Sequence, residues 1–434
     1  MSTTTTHNEL TPEDVIAAFE PETRTQEFKG VTYGYRDADS MRRTHGLKPF
    51  WKQLYQSSDA TAIDPTADAV KFPGVIPDCL IHLRRDEREL LKQDAPDLSA
   101  YPKERRHVLR WLAADERALS KMSIGGTDFL GTGQPGSGKS TLACDLTREI
   151  LEINPEEAVV WRGTPSRAEW TPLAPWAKLL LPKSQEATVK VSPPQHGSKS
   201  FEMAPEDIAR EVEYYTGIFD LFERFEPGKL HVVYPDPYGS GVSDLFAQSA
   251  RTDNFQWINH ASMGDDESDY DTPTPLSHWW FAFVVGMVDL MGPEFLSLIL
   301  DEVGDLLPQA ARSGPKNHHW YEKVETFRDA LVDARKNNKS IYMFGHNEAD
   351  VHDLVRRKLR WRITMPGWPN PTKGDKVVGF KDAPMEEQHT KYFNVGKGLW
   401  WTALHYSKFS WSDVPKPVVA KIAIEFVNSV GGSA

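Results

Sequence analysis

Short apolar runs alternate along the middle of the chain with longer amphipathic stretches, and this alternation predicts the fold class. TDFLGT (127–132), AVVW (158–161), LHVVY (230–234), FLSLILDE (295–302) and SIYMF (340–344) are each short enough for one buried strand. Between them, TLACDLTREILE (141–152) and residues 320–336 repeat apolar positions at helical spacing, and WWFAFVVGMVDLM (279–291) reads as a buried helix. Pro205 predicts the start of an amphipathic helix to about Phe225, with Ile208, Val212, Tyr215, Ile218 and Phe222 on one face. Strands alternating with helices pack as an α/β fold around a central, mostly parallel sheet.

The flanks read differently. Thr11, Pro12 and Asp14 look like the cap, first position and N3 of a short helix. Residues 36–120 are charge-rich and mostly helical in pattern, with basic clusters at Arg42 and Arg43, at Arg84, Arg85 and Arg88, and at Lys103, Arg105, Arg106 and Arg110. Acidic residues interleave with them, which favours solvated helix faces over a nucleic-acid surface. Residues 183–200 suggest a loop with a hairpin around a strand at 187–191, and GDDESDYD (264–271) a solvated acidic loop. Near the end, residues 391–411 interleave aromatics with lysines; inward packing in a β-rich module is preferred to base stacking on Trp400, Trp401 or Trp411. Three regions are therefore expected: a helical accessory region (1–122), a core (123–368) and a small C-terminal module (369–434).

The chemistry centres on GTGQPGSGKST (131–141), which contains a complete G-x-x-x-x-G-K-S loop between a strand and a helix. Such a loop wraps a phosphate chain with successive backbone N–H groups, at the dipole end that favours anions. The predicted nucleotide-binding residues are Gly133, Gln134, Pro135, Gly136, Ser137, Gly138, Lys139, Ser140 and Thr141. Lys139 would carry the charge for the β- and γ-phosphates, and Ser140 would ligate Mg²⁺.

A second half-site follows. Asp301 and Glu302 end an apolar strand, so both carboxylates are delivered to the edge of the sheet where the loop lies. Asp301 is expected to hold Mg²⁺ and Glu302 to polarise the attacking water. The strand at 340–344 ends at Gly345 and His346; His346 either senses a γ-phosphate or caps locally. Arg356, Arg357, Lys358, Arg360 and Arg362 concentrate cations around Trp361, and some would face phosphate of a neighbouring subunit's nucleotide or of DNA.

Composition narrows this further. A net charge of −12 argues against a surface that is wholly a nucleic-acid footprint, leaving local basic patches or the lumen of a ring. Cys79 and Cys144 cannot make a disulfide framework, and no signal peptide or transmembrane segment is expected, since the apolar run at 279–291 is too short and contains Asp289.

LSLILDEVGDLLP (296–308) resembles the acidic strand of the HerA/FtsK superfamily of DNA-translocating ATPases. ARKNNKSIYMFGH (334–346) is similar to that superfamily's segment in which an Arg precedes the sensor strand; Arg335 matches that Arg, while His346 stands where the superfamily has Gln. RWRITM (360–365) resembles the next strand, with Arg362 at its start. The resemblance spans about 123–368 and is nearest to genome-handling ATPases of archaeal viruses and proviruses. It implies a RecA-like core using ATP and Mg²⁺, a homo-oligomeric ring, hexameric in expectation, and translocation or packaging of double-stranded DNA. It also implies an arginine donated in trans, with Arg335 first and Arg356 and Arg362 in reserve. The expected location is cytoplasmic, or virion-associated for a viral protein. A P-loop kinase or other phosphotransferase, and a slow nucleotide-dependent assembly switch, remain as alternatives.

Overall fold

Alternation within the apolar runs decides the layers. In the computed structural model, Val159 and Trp161 enter one hydrophobic cluster while Ala158 and Val160 enter another, and Ile299 is split from Leu298 and Leu300 in the same way. A strand that is apolar on both sides must be covered on both sides. The helix Lys139–Ile153 covers one face through Leu142, Leu146 and Ile150, and the helices Pro275–Asp289 and Trp320–Ala334 cover the other. The structure describes residues 10–19, 25–28, 31–34, 82–83, 85–101, 103–114, 123–154, 156–165, 167–194, 198–252, 275–314, 317–368, 390–401, 406–411 and 418–427. The acidic run at 264–271, the arginines Arg42, Arg43 and Arg84, and Cys79 lie outside them.

In chain order the strands are β1 (Thr25–Phe28), β2 (Val31–Gly34), β3 (His82–Leu83), β4 (Ser123–Ile124), β5 (Asp128–Thr132), β6 (Ala158–Arg162), β7 (Ala177–Pro182), β8 (Glu186–Ser192), β9 (Phe201–Met203), β10 (Glu211–Tyr215), β11 (Leu230–Val233), β12 (Leu296–Leu300), β13 (Lys339–Gly345), β14 (Trp361–Thr364), β15 (Lys397–Trp401), β16 (Tyr406–Ser410) and β17 (Lys421–Val427). The main sheet has ten strands in the order β10-β7-β11-β6-β12-β13-β5-β14-β15-β16. Its pairs are parallel from β10 through β14 and antiparallel from β14 to β16. This is an α/β P-loop core of RecA-like strand order, with β13 between the phosphate-loop strand β5 and the acidic strand β12. Strands β15 and β16 extend the same sheet, and β17 pairs with β8 in a three-stranded sheet with β9. Trp400, Trp401 and Trp411 are buried there, so none of them is available to stack on a base.

The helix predicted from Pro205 to about Phe225 is corrected. A 3-10 turn at Pro205–Asp207 leads into strand β10, and only Ile218–Phe222 is helical. EVEYY alternates charge with β-branched or aromatic residues, and at the sheet edge Glu211 and Glu213 reach Lys178 of β7 at 3.6 and 2.7 Å. Edge pairing of carboxylates with a buried lysine outcompetes helical periodicity here.

The N-terminal region joins the core through Leu83, Leu91, Leu98, Leu109 and Leu112, which enter the same hydrophobic cluster as Phe129 and Leu142, and through a buried arginine. Arg105, on the helix Lys103–Ala114, pairs with Glu87 at 2.5 Å and donates to Asn154 Oδ1 at 2.5 Å; both Arg105 and Glu87 are buried. Asn154 in turn donates to Glu157, which also accepts from Ser297. Burial pushes the Glu157 carboxyl from 4.5 up to about 7, against those hydrogen bonds and the Arg105 charge. Between those pH values the folded chain holds a proton that the unfolded chain has lost, so this contribution to stability falls as pH rises through the window. Glu157→Gln, which keeps the neutral shape, is expected to stabilise on the order of 2 kcal/mol at pH 8 and much less at pH 5. Thermal denaturation at the two pH values checks this, and equal shifts at both would mean that packing, not charge, sets the effect.

Candidate nucleotide site

The loop's geometry follows from its glycines. Gly138 is left-handed at φ 93°, and it begins the helix that carries Lys139, Ser140 and Thr141. A Cβ at Gly133 would lie 2.2 Å from Ser137 Oγ and 2.8 Å from Met365 Cβ, so no side chain fits there. Gln134, Pro135 and Gly136 form the exposed crest. Ser137 is buried, and its Oγ has no hydrogen-bond partner among the described residues. A buried hydroxyl without a partner, inside a loop of this shape, is the orphan that a phosphate oxygen would satisfy.

Lys139 is buried and donates to the carbonyls of Gly133 at 3.0 Å and Gln134 at 3.4 Å. It also donates to His346 Nδ1 at 3.1 Å. An ammonium only donates, so Nδ1 is the acceptor and the imidazole proton sits on Nε2. That Nε2 lies 3.0 Å from Glu302 Oε2. The end of β13 therefore bridges the phosphate loop to the acidic strand through one histidine. Burial lowers the Lys139 pKa, opposed by the nearby Glu302 and Asp301 charges.

Asp301 and Glu302 follow β12 directly. Glu302 is left-handed at φ 51°, and its amide donates to Asp301 Oδ1 at 3.0 Å. Burial, reinforced by the neighbouring Glu302 charge, raises the Asp301 carboxyl to about 6. A carboxylate so uncomfortable with its own charge favours a nearby cation.

Arg356 and Arg362, the reserve candidates for a donor in trans, are both buried within this chain. Arg362 is 5% exposed and uses Nε on Glu348 at 2.8 Å, Nη1 on the Trp361 carbonyl at 3.3 Å and Nη2 on the Arg356 carbonyl. Arg356 is 9% exposed and donates to Gln309. Arg356 keeps Nε without a hydrogen-bond partner among the described residues. Arg335 is exposed, in the turn Arg335–Asn337 before β13, so seven residues of strand, about 20 Å, separate it from Gly345. It is not part of the cluster around Lys139.

Three participants are not signalled by the motifs. Arg162, buried at the end of β6, donates to the carbonyl of Asp301 at 3.1 Å and fixes the turn on which the acidic pair sits. The neighbouring of β6 and β12, in which Trp161 pairs with Ile299, places this cation one strand from the acids. Arg167 lies 3.1 Å from Glu302 Oε1. It is brought there by the tight turn that bridges Thr164 and Arg167, for which the sequence gives no signal. Trp411 donates from Nε1 to Thr141 Oγ1 at 3.1 Å, closing the loop helix from the far end of the sheet.

No protein-family model matches the chain, and no curated protein matches it. Among solved structures it is similar to the genome packaging NTPase B204 from Sulfolobus turreted icosahedral virus 2 in complex with ATP-gammaS, with 10% identity over 67% of this chain and 98% of that one and a TM-score of 0.34. The same protein in complex with AMPPCP gives 10% identity, 66% and 98% coverage and a TM-score of 0.35. The N-terminal domain of zonular occludens toxin from Neisseria meningitidis gives 12% identity, 67% and 96% coverage and a TM-score of 0.26.

Proposed function

We propose that the chain is an ATP-hydrolysing motor that moves or packages double-stranded DNA as a ring. The observation that carries the hydrolytic half is the continuous cluster from Lys139 through His346 to Glu302, at 3.1 and 3.0 Å, at the carboxyl edge of a parallel sheet. A phosphate chain on the loop would meet a fixed cation, a neutral imidazole and a carboxylate in sequence, which is what in-line attack of water on a terminal phosphate requires. Lys139 and the loop amides bind the phosphates, Glu302 orients and polarises the water, and His346 reports the terminal phosphate by exchanging its bond to Lys139. Ser140 and Asp301 suit Mg²⁺ by donor type, a hydroxyl and a carboxylate; when bound, the ion neutralises charge on the phosphates.

The motor half rests on the resemblance of 296–308, 334–346 and 360–365 to the HerA/FtsK superfamily. In that reading Arg335, exposed on the sheet edge opposite the loop, is the donor to the neighbouring subunit's site, since head-to-tail rings bring opposite edges together. The test is steady-state phosphate release with and without duplex DNA, together with particle mass in the presence of ATP. We expect ring-sized particles and stimulation by duplex DNA of about threefold or more, beyond what non-specific charge screening gives when salt is varied. Phosphoryl transfer to a small molecule by a monomer indifferent to DNA would overturn the motor reading and leave a phosphotransferase.

A further inference from the structure

Glu302 is engaged at both oxygens, by Arg167 at 3.1 Å and His346 at 3.0 Å, so a water that it orients must share those oxygens with two other donors. Departure of one donor when substrate arrives would leave that oxygen to the water alone. The backbone of Arg167 is anchored, its amide donating to the Thr164 carbonyl at 3.2 Å and its carbonyl accepting from the Tyr234 hydroxyl at 3.4 Å. Its side chain is half exposed, and it lines a cavity of about 400 Å³ together with Ser140 and Thr141. Its charge is also felt at Lys139. Two cations thus flank the start of the loop helix, one fixed and buried, the other free to turn.

Resting on the nucleotide-hydrolysing reading above, we propose that Arg167 is a contact for the terminal phosphate within its own subunit: it pairs with Glu302 until a nucleoside triphosphate binds, then transfers to the γ-phosphate oxygens and frees the carboxylate. An ion pair with a half-exposed partner is weak enough to exchange. A phosphate offers more charge than a carboxylate, and the planar guanidinium holds two of its oxygens at once. Nucleoside diphosphates lack the group that draws Arg167 away, so they leave Glu302 held.

The test compares binding of Mg²⁺-ATPγS and Mg²⁺-ADP to the full-length protein. Arg167→Ala should lose about tenfold in ATPγS affinity while ADP affinity stays within about twofold, and Arg167→Lys should recover part of the loss. Retained ADP affinity also shows that the variant is folded. Glu302→Gln, which removes the competing carboxylate charge, should tighten ATPγS when Arg167 is present and not in the double variant. Equal losses for both nucleotides, or unchanged ATPγS affinity, would overturn the role of Arg167 while leaving the phosphate loop intact. Failure of the wild-type protein to bind either nucleotide would overturn the site itself.

Discussion

Lys139→Ala should reduce ATP hydrolysis to background, a loss on the order of 10³ in rate or about 4 kcal/mol of transition-state stabilisation. The size follows from where the ammonium sits. It is buried, held by two loop carbonyls and His346, so its position is set before any phosphate arrives. Removing it also takes away a buried cation whose charge is coupled to Asp301 and Glu302. The site then repels the triphosphate, so equilibrium affinity for ATP falls along with turnover. His346 loses its donor at the same time, which frees its tautomer and its contact with Glu302. Steady-state phosphate release and ATP titration measure the two losses separately. Unchanged turnover would mean that the loop is not the hydrolytic site.

Much of this site was legible because its two halves are local. The phosphate loop is a contiguous string, and Asp301 with Glu302 ends an apolar run whose length fixes the strand. Their meeting follows from parallel strand order alone, with β13 between them. What the sequence could not supply is contact made by side chains across loops. His346 offered two readings, and only its distances to Lys139 and Glu302 join them. Density of charge in sequence says nothing about which way a guanidinium turns; Arg362 donates to Glu348 and Arg356 to Gln309. After Pro205 an edge strand and a helix share a pattern over five residues, and Lys178, on β7, decides between them.

Glu302→Gln and Asp301→Asn should separate the roles of two adjacent carboxylates. Glu302 faces His346 and Arg167 and is only part-buried, so its amide variant keeps the shape but loses the basicity that polarises water. Hydrolysis should fall on the order of 10² or more while Mg²⁺-ATP stays bound. The Asp301 carboxyl is raised to about 6, first by burial and then by the neighbouring Glu302 charge. An approaching Mg²⁺ offsets both, so binding the ion and ionising Asp301 are linked. Asp301→Asn cannot ionise, and its metal-dependent nucleotide affinity should fall, whereas affinity measured in chelator should change little. The same linkage predicts a pH dependence: the gain in ATP affinity from Mg²⁺ is full above about pH 6 and is lost as pH falls through it, in wild type but not in Asp301→Asn. Titrations with Mg²⁺ and with chelator at pH 5 and pH 8 read all of these. If both variants lost nucleotide affinity equally, with and without Mg²⁺, the division between a metal ligand and a water-polarising base would be wrong.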